Sequence, residues 1–288
     1  MTKLCFTTTG AWDLADGFGC ASLGLAGVCG NEENRVVSRE YGAESVTFTG
    51  TYETLLEGVQ KVKNQQKVYA AIVLFGNAGG ENAFMEKLCA LLPGCPIVGG
   101  GAAIHSDGRK GLLTGGGAGA ILLFTDDRYT YTAQTLCIHK EFLGLCDVQA
   151  EDARTIGKIN GMDAGAFLAE KRKDLGLAEN DFEHLTLSDL DGVNAHLSCV
   201  DGKIKSGRDV KPLMSLGYVP HEKVYDTMHA FYDDDDAIVF GCAGLSGLLD
   251  KPLTTKSLGL FLFGEVCTVK AWAQFGNLML SKLKIQEK

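Results

Sequence analysis

The sequence lacks the clustered basic residues with which nucleic-acid-binding proteins neutralise phosphates. Lysine and arginine together number 27, against 36 aspartate and glutamate residues, and the formal net charge is −9. The most basic short stretch is Lys171-Arg172-Lys173, which we interpret as a solvated helix face rather than an anion site. An acidic chain without a basic patch is repelled by phosphate backbones, so we expect no nucleic-acid partner.

Motifs for metals and nucleotides are absent as well. The ten cysteines are scattered singly, without the Cys-x-x-Cys pairs or cysteine–histidine ladders that hold zinc. The sequence has no GxGxxG fingerprint with a following acidic residue and no GxxxxGK loop. Cysteines in apolar, core-like segments of a long chain are typical of reduced thiols rather than of a disulfide framework. We therefore expect a cytoplasmic protein that uses no metal and no cofactor.

The sequence also lacks the charge-free apolar stretch near its start that would indicate a signal peptide or a membrane span. Residues 12–30 are apolar and rich in glycine and alanine, but Asp13 and Asp16 lie among them. Such spans carry few or no charges in their apolar part. We interpret this segment as buried and closely packed, and we expect no membrane partner.

Proline is scarce, whereas glycine is abundant: the chain has 5 prolines and 37 glycines. Many glycines gather at the ends of apolar runs, as in Gly99-Gly100-Gly101 and in Gly241-Cys242-Ala243-Gly244. Glycine lets a backbone turn sharply or approach a ligand closely, and backbone amides at such turns can hold an anion. Tight packing between a strand and a helix is the alternative interpretation of the same turns.

Hydrophobic periodicity predicts a mixture of helices and strands. Amphipathic helices are predicted over residues 52–63, 163–175 and 222–231. Strands are predicted over residues 67–75, 96–98, 118–124, 129–138, 185–190, 216–219, 237–240, 258–263 and 277–285. Several of these strands are apolar at every position, which indicates sheets that are covered on both faces. The predicted fold class is therefore mixed α/β.

Two parts of the chain share one pattern. In each, a helix with apolar residues at positions i, i+1, i+4 and i+7 is followed by a polar loop and then by a strand that opens Ala-Ile-Val, at Ala71 in one part and Ala237 in the other. Each part later contains another apolar strand and a glycine-rich turn. We infer an internal duplication, with an N-terminal α/β half over residues 1–150 and a C-terminal half over residues 151–288.

Two side chains occupy positions that are typical of catalytic or ligand-binding residues. Cys242 follows an apolar strand and precedes a turn, a position at which nucleophiles are exposed, although a small buried hydrophobe fits there too. Glu265 ends a strongly apolar strand, where an ionised carboxylate requires water, a donor or a cationic ligand group. Glu265 either binds the amine of a small ligand or pairs with a backbone amide or a lysine.

Several motifs follow one another in a recognisable order over roughly residues 51–285. They are Pro96-Ile97-Val98-Gly99-Gly100-Gly101, Ile159-Asn160-Gly161-Met162-Asp163-Ala164, Phe240-Gly241-Cys242-Ala243-Gly244, Gly259-Leu260-Phe261-Leu262-Phe263-Gly264-Glu265 and Asn277-Leu278-Met279-Leu280. In this order they resemble the FIST domain, with its N-terminal and C-terminal parts. The resemblance implies a sensory or signal-input module that binds a small ligand, such as an amino acid, and passes its signal to a separate output protein.

Two functional hypotheses follow. In the first, the protein is a sensor that binds a small ligand in a glycine-lined cleft at the ends of the strands, with Gly100, Gly101, Cys242 and Glu265 in its lining. In the second, Cys242 is the nucleophile of a hydrolase or an acyl transferase, which requires a reachable thiol of low pKa beside a base. We expect the first to hold and the protein not to be an enzyme.

Overall fold

The computed structural model describes residues 1–8, 17–22, 24–25, 36–76, 79–103, 112, 117–269 and 272–288. Within them the chain forms helices and several sheets, which confirms the predicted mixed α/β class. The helices are α1 (Tyr52–Gln65), α2 (Glu81–Leu91), α3 (Ala164–Asp174), α4 (His221–Tyr232) and α5 (Ala243–Ser246). No helix among these residues is long and apolar enough to cross a membrane.

Most of the secondary structure in the described residues consists of strands. They are β1 (Thr2–Thr8), β2 (Ala21–Ser22), β3 (Gly24–Leu25), β4 (Val36–Tyr41), β5 (Ser45–Gly50), β6 (Ala70–Phe75), β7 (Ile97–Gly101), β8 (Gly119–Phe124), β9 (Tyr129–Cys137), β10 (Glu141–Asp152), β11 (Thr155–Ile159), β12 (Met162–Asp163), β13 (Leu185–Ser188), β14 (Asn194–Ala195), β15 (Leu197–Val200), β16 (Lys203–Ser206), β17 (Leu213–Tyr218), β18 (Ala237–Cys242), β19 (Leu258–Val269), β20 (Trp272–Gly276) and β21 (Met279–Glu287).

A ten-stranded sheet forms the centre of the molecule. Its order is β5-β8-β6-β7-β19-β18-β21-β9, and β3 and β20 also pair with β19. Strand β6 is buried at every position, with Ile72 and Leu74 in one apolar cluster and Val73 and Phe75 in another. The side chains of a strand alternate between its faces, so this sheet is covered on both faces, as its continuous apolar runs predict.

The two strands that open Ala-Ile-Val occupy equivalent positions in this sheet. Strand β6 is parallel to β7 on its inner side and antiparallel to β8 on its outer side. Strand β18 is likewise parallel to β19 and antiparallel to β21. Helix α1 precedes β6 and helix α4 precedes β18. The origin of both halves by duplication stays a prediction, which this shared order supports.

A second, eight-stranded sheet is formed by residues 141–218, between β9 and α4. Its order is β14-β13-β17-β10-β11-β16-β15, β12 pairs with β11, and all of its pairs are antiparallel. Helix α3 packs on it through Phe167 and Leu168. The half boundary placed at residue 150 falls inside β10, and the central sheet takes strands from both sides of it. Residues Glu151 to Arg154 lie at the exposed end of the β10–β11 hairpin.

The prediction of a turn at the triple glycine turns out differently, whereas the prediction for the apolar segment 12–30 agrees with its described residues. Gly99, Gly100 and Gly101 do not form a turn but lie within β7, paired with both β6 and β19. Gly99 has a φ of 142°, and a Cβ there would lie 1.8 Å from the Val73 carbonyl oxygen, so the close strand contact itself requires glycine. Much of the apolar segment 12–30 lies outside the described residues, whereas Phe18 and Cys20 within it are buried.

Candidate functional site

A cleft of about 530 Å³ lies where the two sheets meet. The residues that line it are Gly79, Glu81, Arg154, His196, Gly207, Cys242, Ala243, Gly244, Leu262, Phe263, Gly264, Phe275 and Asn277. A larger depression, of about 770 Å³, lies at the C-terminal ends of α1 and α2 and is lined by none of the predicted site residues. We therefore take the cleft between the sheets as the candidate site.

The end of β18 forms one part of the cleft. Cys242 is the last residue of β18, and Ala243 and Gly244 begin the short helix α5. Cys242 is buried, with the residue 6% exposed. It lies at the C-terminal end of the apolar strand β18. The position thus agrees with the predicted junction of a strand and a turn, although the residue that follows starts a helix.

A bulge in β19 forms the floor. Gly264 has a φ of 72°, and the pairing of β19 with β7 shifts register there, between Phe263 and Glu265. A Cβ at Gly264 would lie 2.6 Å from the Phe275 ring, so no other residue fits without a shift of its neighbours. The bulge sends the two flanking side chains to different surroundings: Phe263 is exposed at the cleft, and Glu265 is fully buried.

Charged side chains come to the cleft from separate elements. Arg154, in the hairpin between β10 and β11, has its Nε 3.2 Å from the Asp209 carboxylate, and both side chains are more than half exposed. Glu81 begins α2 and accepts a hydrogen bond of 2.9 Å from the amide of Gly79. The cleft therefore holds a cation and an anion, each with part of its hydrogen-bonding capacity turned to water.

His196 and Asn277 add further hydrogen-bonding groups. The Nε2 of His196 lies 3.7 Å from the Glu183 carboxylate, and this histidine lowers the pKa of Glu183 from its usual value. The Oδ1 of Asn277 is buried and has no hydrogen-bond partner among the described residues. A buried amide oxygen without a partner is uncommon in folded proteins, and a ligand with an N–H donor supplies one.

The four predicted lining residues lie close together, but only one of them reaches the cleft. Cys242 lines it. Gly100 and Gly101 lie in buried β7, where Gly100 pairs with Glu265 and Gly101 pairs with Phe263. Glu265 is 0% exposed and lies behind the bulge. The predicted contact between Glu265 and a ligand amine therefore requires a ligand group that penetrates the sheet behind the bulge.

The surroundings of Glu265 favour its neutral form. Its Oε2 accepts a hydrogen bond of 3.3 Å from the Met279 amide, and its Oε1 has no partner among the described residues. Burial raises the pKa of Glu265 well above its usual value, and the hydrogen bonds from Met279 and Cys242 offset that rise only in part. Burial therefore disfavours a fixed negative charge at this carboxyl group.

The Cys242 thiol is held neutral by the same surroundings. Burial is the main reason that its pKa lies above its usual range, and the neighbouring Glu265 carboxyl raises it further. Backbone amides of Leu278, Gly244 and Gly264 lower the pKa but do not restore it. A thiol activated as a nucleophile has a lowered pKa, so this environment favours contact with a ligand over attack on one.

Sequence patterns did not single out Arg154, His196, Glu81 or Asn277 as site residues. Arg154, His196 and Glu81 lie in short segments without a motif, and Asn277 opens a motif of the FIST resemblance that gave it no role in the site. They meet because the eight-stranded sheet folds back onto the end of β18, a contact that joins residues far apart in the chain. Pairing of distant residues leaves no local signal.

The nine cysteines within the described residues are free thiols, and the same residues contain no group of three or more histidine, cysteine, aspartate or glutamate side chains placed to hold a metal ion. In comparisons with known proteins, the chain matches no family model and no curated protein. The resemblance to the FIST domain thus remains a prediction.

Proposed function

We propose that the protein is a sensory protein that binds a small zwitterionic ligand, an α-amino acid, in the cleft between its two sheets. The observation that carries the proposal is the presence of Arg154 and Glu81, one cation and one anion, in a cavity of about 530 Å³. Small-ligand sites typically have volumes of about 300–1,000 Å³ and a few convergent polar groups. Arg154 suits a carboxylate, and Glu81 together with the Asn277 oxygen suits an ammonium group.

Binding fits the described groups better than catalysis does. The neutral Cys242 thiol makes only weak hydrogen bonds, and burial raises its pKa, which disfavours the thiolate that a nucleophile requires. The alternative, a hydrolase or acyl transferase that uses Cys242, draws its support from His196 in the same cleft. It requires the ligand to activate the thiol.

The location of the cleft suggests how binding is sensed. Arg154, His196 and Gly207 belong to the eight-stranded sheet and its turns, whereas Cys242, Phe263 and Gly264 belong to the ten-stranded sheet. A ligand held by both sheets stabilises one arrangement of them, and a separate output protein reads that arrangement. Free thiols at the described cysteines suit a reducing compartment such as the cytoplasm.

A thermal-shift screen against the common amino acids, simple amines and simple carboxylic acids tests the proposal. A ligand at a hundred times its Kd stabilises the folded protein by about 2.7 kcal/mol. We expect at least one amino acid to raise the Tm, and amines or carboxylic acids alone to bind more weakly. A screen in which no amino acid raises the Tm would exclude the proposal.

Glu81→Gln supplies the matched variant, because it removes the charge and keeps the shape. Loss of a charge-assisted hydrogen bond to the ligand ammonium weakens binding by about 1.5–3 kcal/mol. Glu57→Gln, an exposed glutamate on α1 outside the cleft, is the control and should bind as the unaltered protein does. Equal affinities of the two variants would remove Glu81 from the site.

A further inference from the structure

We propose that the ligand of this cleft carries a large apolar side chain, an aromatic ring above all, that packs on Phe263. The inference rests on the proposed function and adds the class of amino acid. It starts from an anomaly in β19. The described side chains from Leu258 to Cys267 are buried except that of Phe263, which is 45% exposed.

The bulge explains why Phe263 is left uncovered. Gly264 interrupts the regular alternation of side chains along β19. The side chains of Phe263 and Glu265 therefore do not share one environment, as those of residues i and i+2 in a regular strand do. The residue paired with Phe263 on β7 is Gly101, which has no side chain to lie across the ring. Cross-strand side-chain pairs normally cover such a ring. The ring therefore lines the cleft with an apolar face open to an occupant.

One further apolar side chain extends this surface. Phe275 lines the same cleft. The Phe275 ring stands edge-on to Phe75, at 5.2 Å between centroids and 86° between planes, and Phe75 packs edge-on against Phe84 at 5.9 Å. These contacts anchor Phe275 in the apolar core beneath the sheet. An anchored aromatic wall binds a second ring with little loss of side-chain entropy.

The polar and apolar parts of the cleft come from different elements. The apolar side chains Phe263 and Phe275 are on the ten-stranded sheet, whereas Arg154 and His196 belong to the turns of the eight-stranded sheet. The cleft therefore offers charges for the head group and an apolar surface for a side chain. Amino acids with small or charged side chains leave the Phe263 ring in water, and those with large apolar side chains cover it.

Isothermal titration with phenylalanine and alanine tests this inference. Alanine carries the same charged groups as phenylalanine and lacks the ring. Burial of a ring's carbons against the apolar wall should make phenylalanine bind at least about tenfold more tightly than alanine. A glutamate or lysine ligand that binds more tightly than phenylalanine would overturn the inference, as would equal affinity for phenylalanine and alanine. In either case the proposed function stands.

Phe263→Ala should abolish the preference for phenylalanine and leave the affinity for alanine unchanged. Phe263→Leu, which keeps an apolar side chain of similar volume and is the milder change for the fold, should retain part of it. Phe142→Ala is the control, because Phe142 is 65% exposed but lies on β10 outside the cleft. An unchanged preference in Phe263→Ala would contradict the role of Phe263. Failure of every amino acid to bind the unaltered protein would instead refute the proposed function.

Discussion

The carboxyl group of Glu265 shows how a single side chain is altered by its surroundings. It is fully buried, one of its oxygens accepts from the Met279 amide, and the other has no partner among the described residues. Desolvation disfavours the ionised form, and this is the main cause of the raised pKa. The folded protein therefore keeps a proton on Glu265 at pH values where the unfolded chain has lost it.

We expect Glu265→Gln to gain stability relative to the unaltered protein as the pH rises. For an acid whose pKa is raised by folding, the stabilising contribution is complete below the unfolded pKa of about 4.3 and is lost as the pH rises toward the folded pKa. Glutamine does not titrate, so the difference in unfolding free energy should grow by up to about 1.4 kcal/mol per pH unit in that window.

Urea unfolding of both proteins between about pH 5 and pH 8 measures this difference. Glu57→Gln, at an exposed position on α1, is the control and should show no such slope. A difference that is constant across the pH range would mean that Glu265 has an ordinary pKa in the folded state.

Cys242 is expected to react slowly with thiol reagents. Burial raises the pKa of its thiol, and the thiolate is the reactive form. Cys199 is exposed, whereas Cys20 is buried in the core with its pKa also raised. Labelling with iodoacetamide at neutral pH, followed by mass spectrometry, should modify Cys199 first and Cys242 as slowly as Cys20. Faster labelling of Cys242 than of Cys199 would favour the hydrolase or acyl transferase.

Helix α3 illustrates how an element begins and ends. Asp163 is its N-cap, and its Oδ1 accepts a hydrogen bond of 3.0 Å from the Ala166 amide. Asn160, three residues before it, has a φ of 52°, and its Oδ1 accepts a hydrogen bond of 2.8 Å from the Asp147 amide of β10. Gly176, with a φ of 70°, follows the last turn, as glycine commonly does after a helix.

Asp163→Ala should therefore destabilise the protein by about 1 kcal/mol, because the amide of Ala166 loses its acceptor. Asp163→Asn keeps an acceptor oxygen and should lose less. Asp174→Ala, at the other end of α3, removes only an exposed pair with Lys171 and should change little. Chemical unfolding compares the three variants. Equal losses in Asp163→Ala and Asp163→Asn would show that the cap contributes nothing.

A buried ion pair of the eight-stranded sheet lies beside its contact with the ten-stranded sheet. Arg208, in the segment after β16, lies 3.1 Å from the Asp189 carboxylate, and their side chains are 9% and 8% exposed. The same guanidinium donates to the Val193 carbonyl at 3.1 Å and to the Gln274 amide oxygen at 3.4 Å. Gln274 belongs to β20, so Arg208 joins the eight-stranded sheet to the ten-stranded one.

Arg208→Ala should be strongly destabilising, by about 3–5 kcal/mol, because it leaves the Asp189 carboxylate buried without its cation. Lys203→Ala removes an exposed pair with Glu151 and should cost at most about 1 kcal/mol. The Tm of each variant, measured in the same buffer, gives the comparison. A small effect of Arg208→Ala would mean that the sheets are held together without this pair.

Local patterns were enough to locate the apolar elements of the central sheet. Helices α1 and α4 and strands β6 and β18 lie close to their predicted bounds, because each buries a continuous apolar face or run. The strands of the eight-stranded sheet were mostly missed. Strand β10 exposes Phe142, Leu143 and Leu145 and contains register shifts, so its sequence does not alternate as a strand should.

The sequence by itself determined several of the buried apolar runs of the central sheet and that Cys242 follows the end of one of them. Burial follows from local hydrophobicity, which can be read directly from the order of the residues. Only the tertiary structure decided that Arg154, Glu81 and Asn277 meet Cys242 in one cleft, and that Glu265 lies behind it. These contacts depend on how the sheets stack and where β19 bulges, and both result from packing between segments that are distant in the sequence.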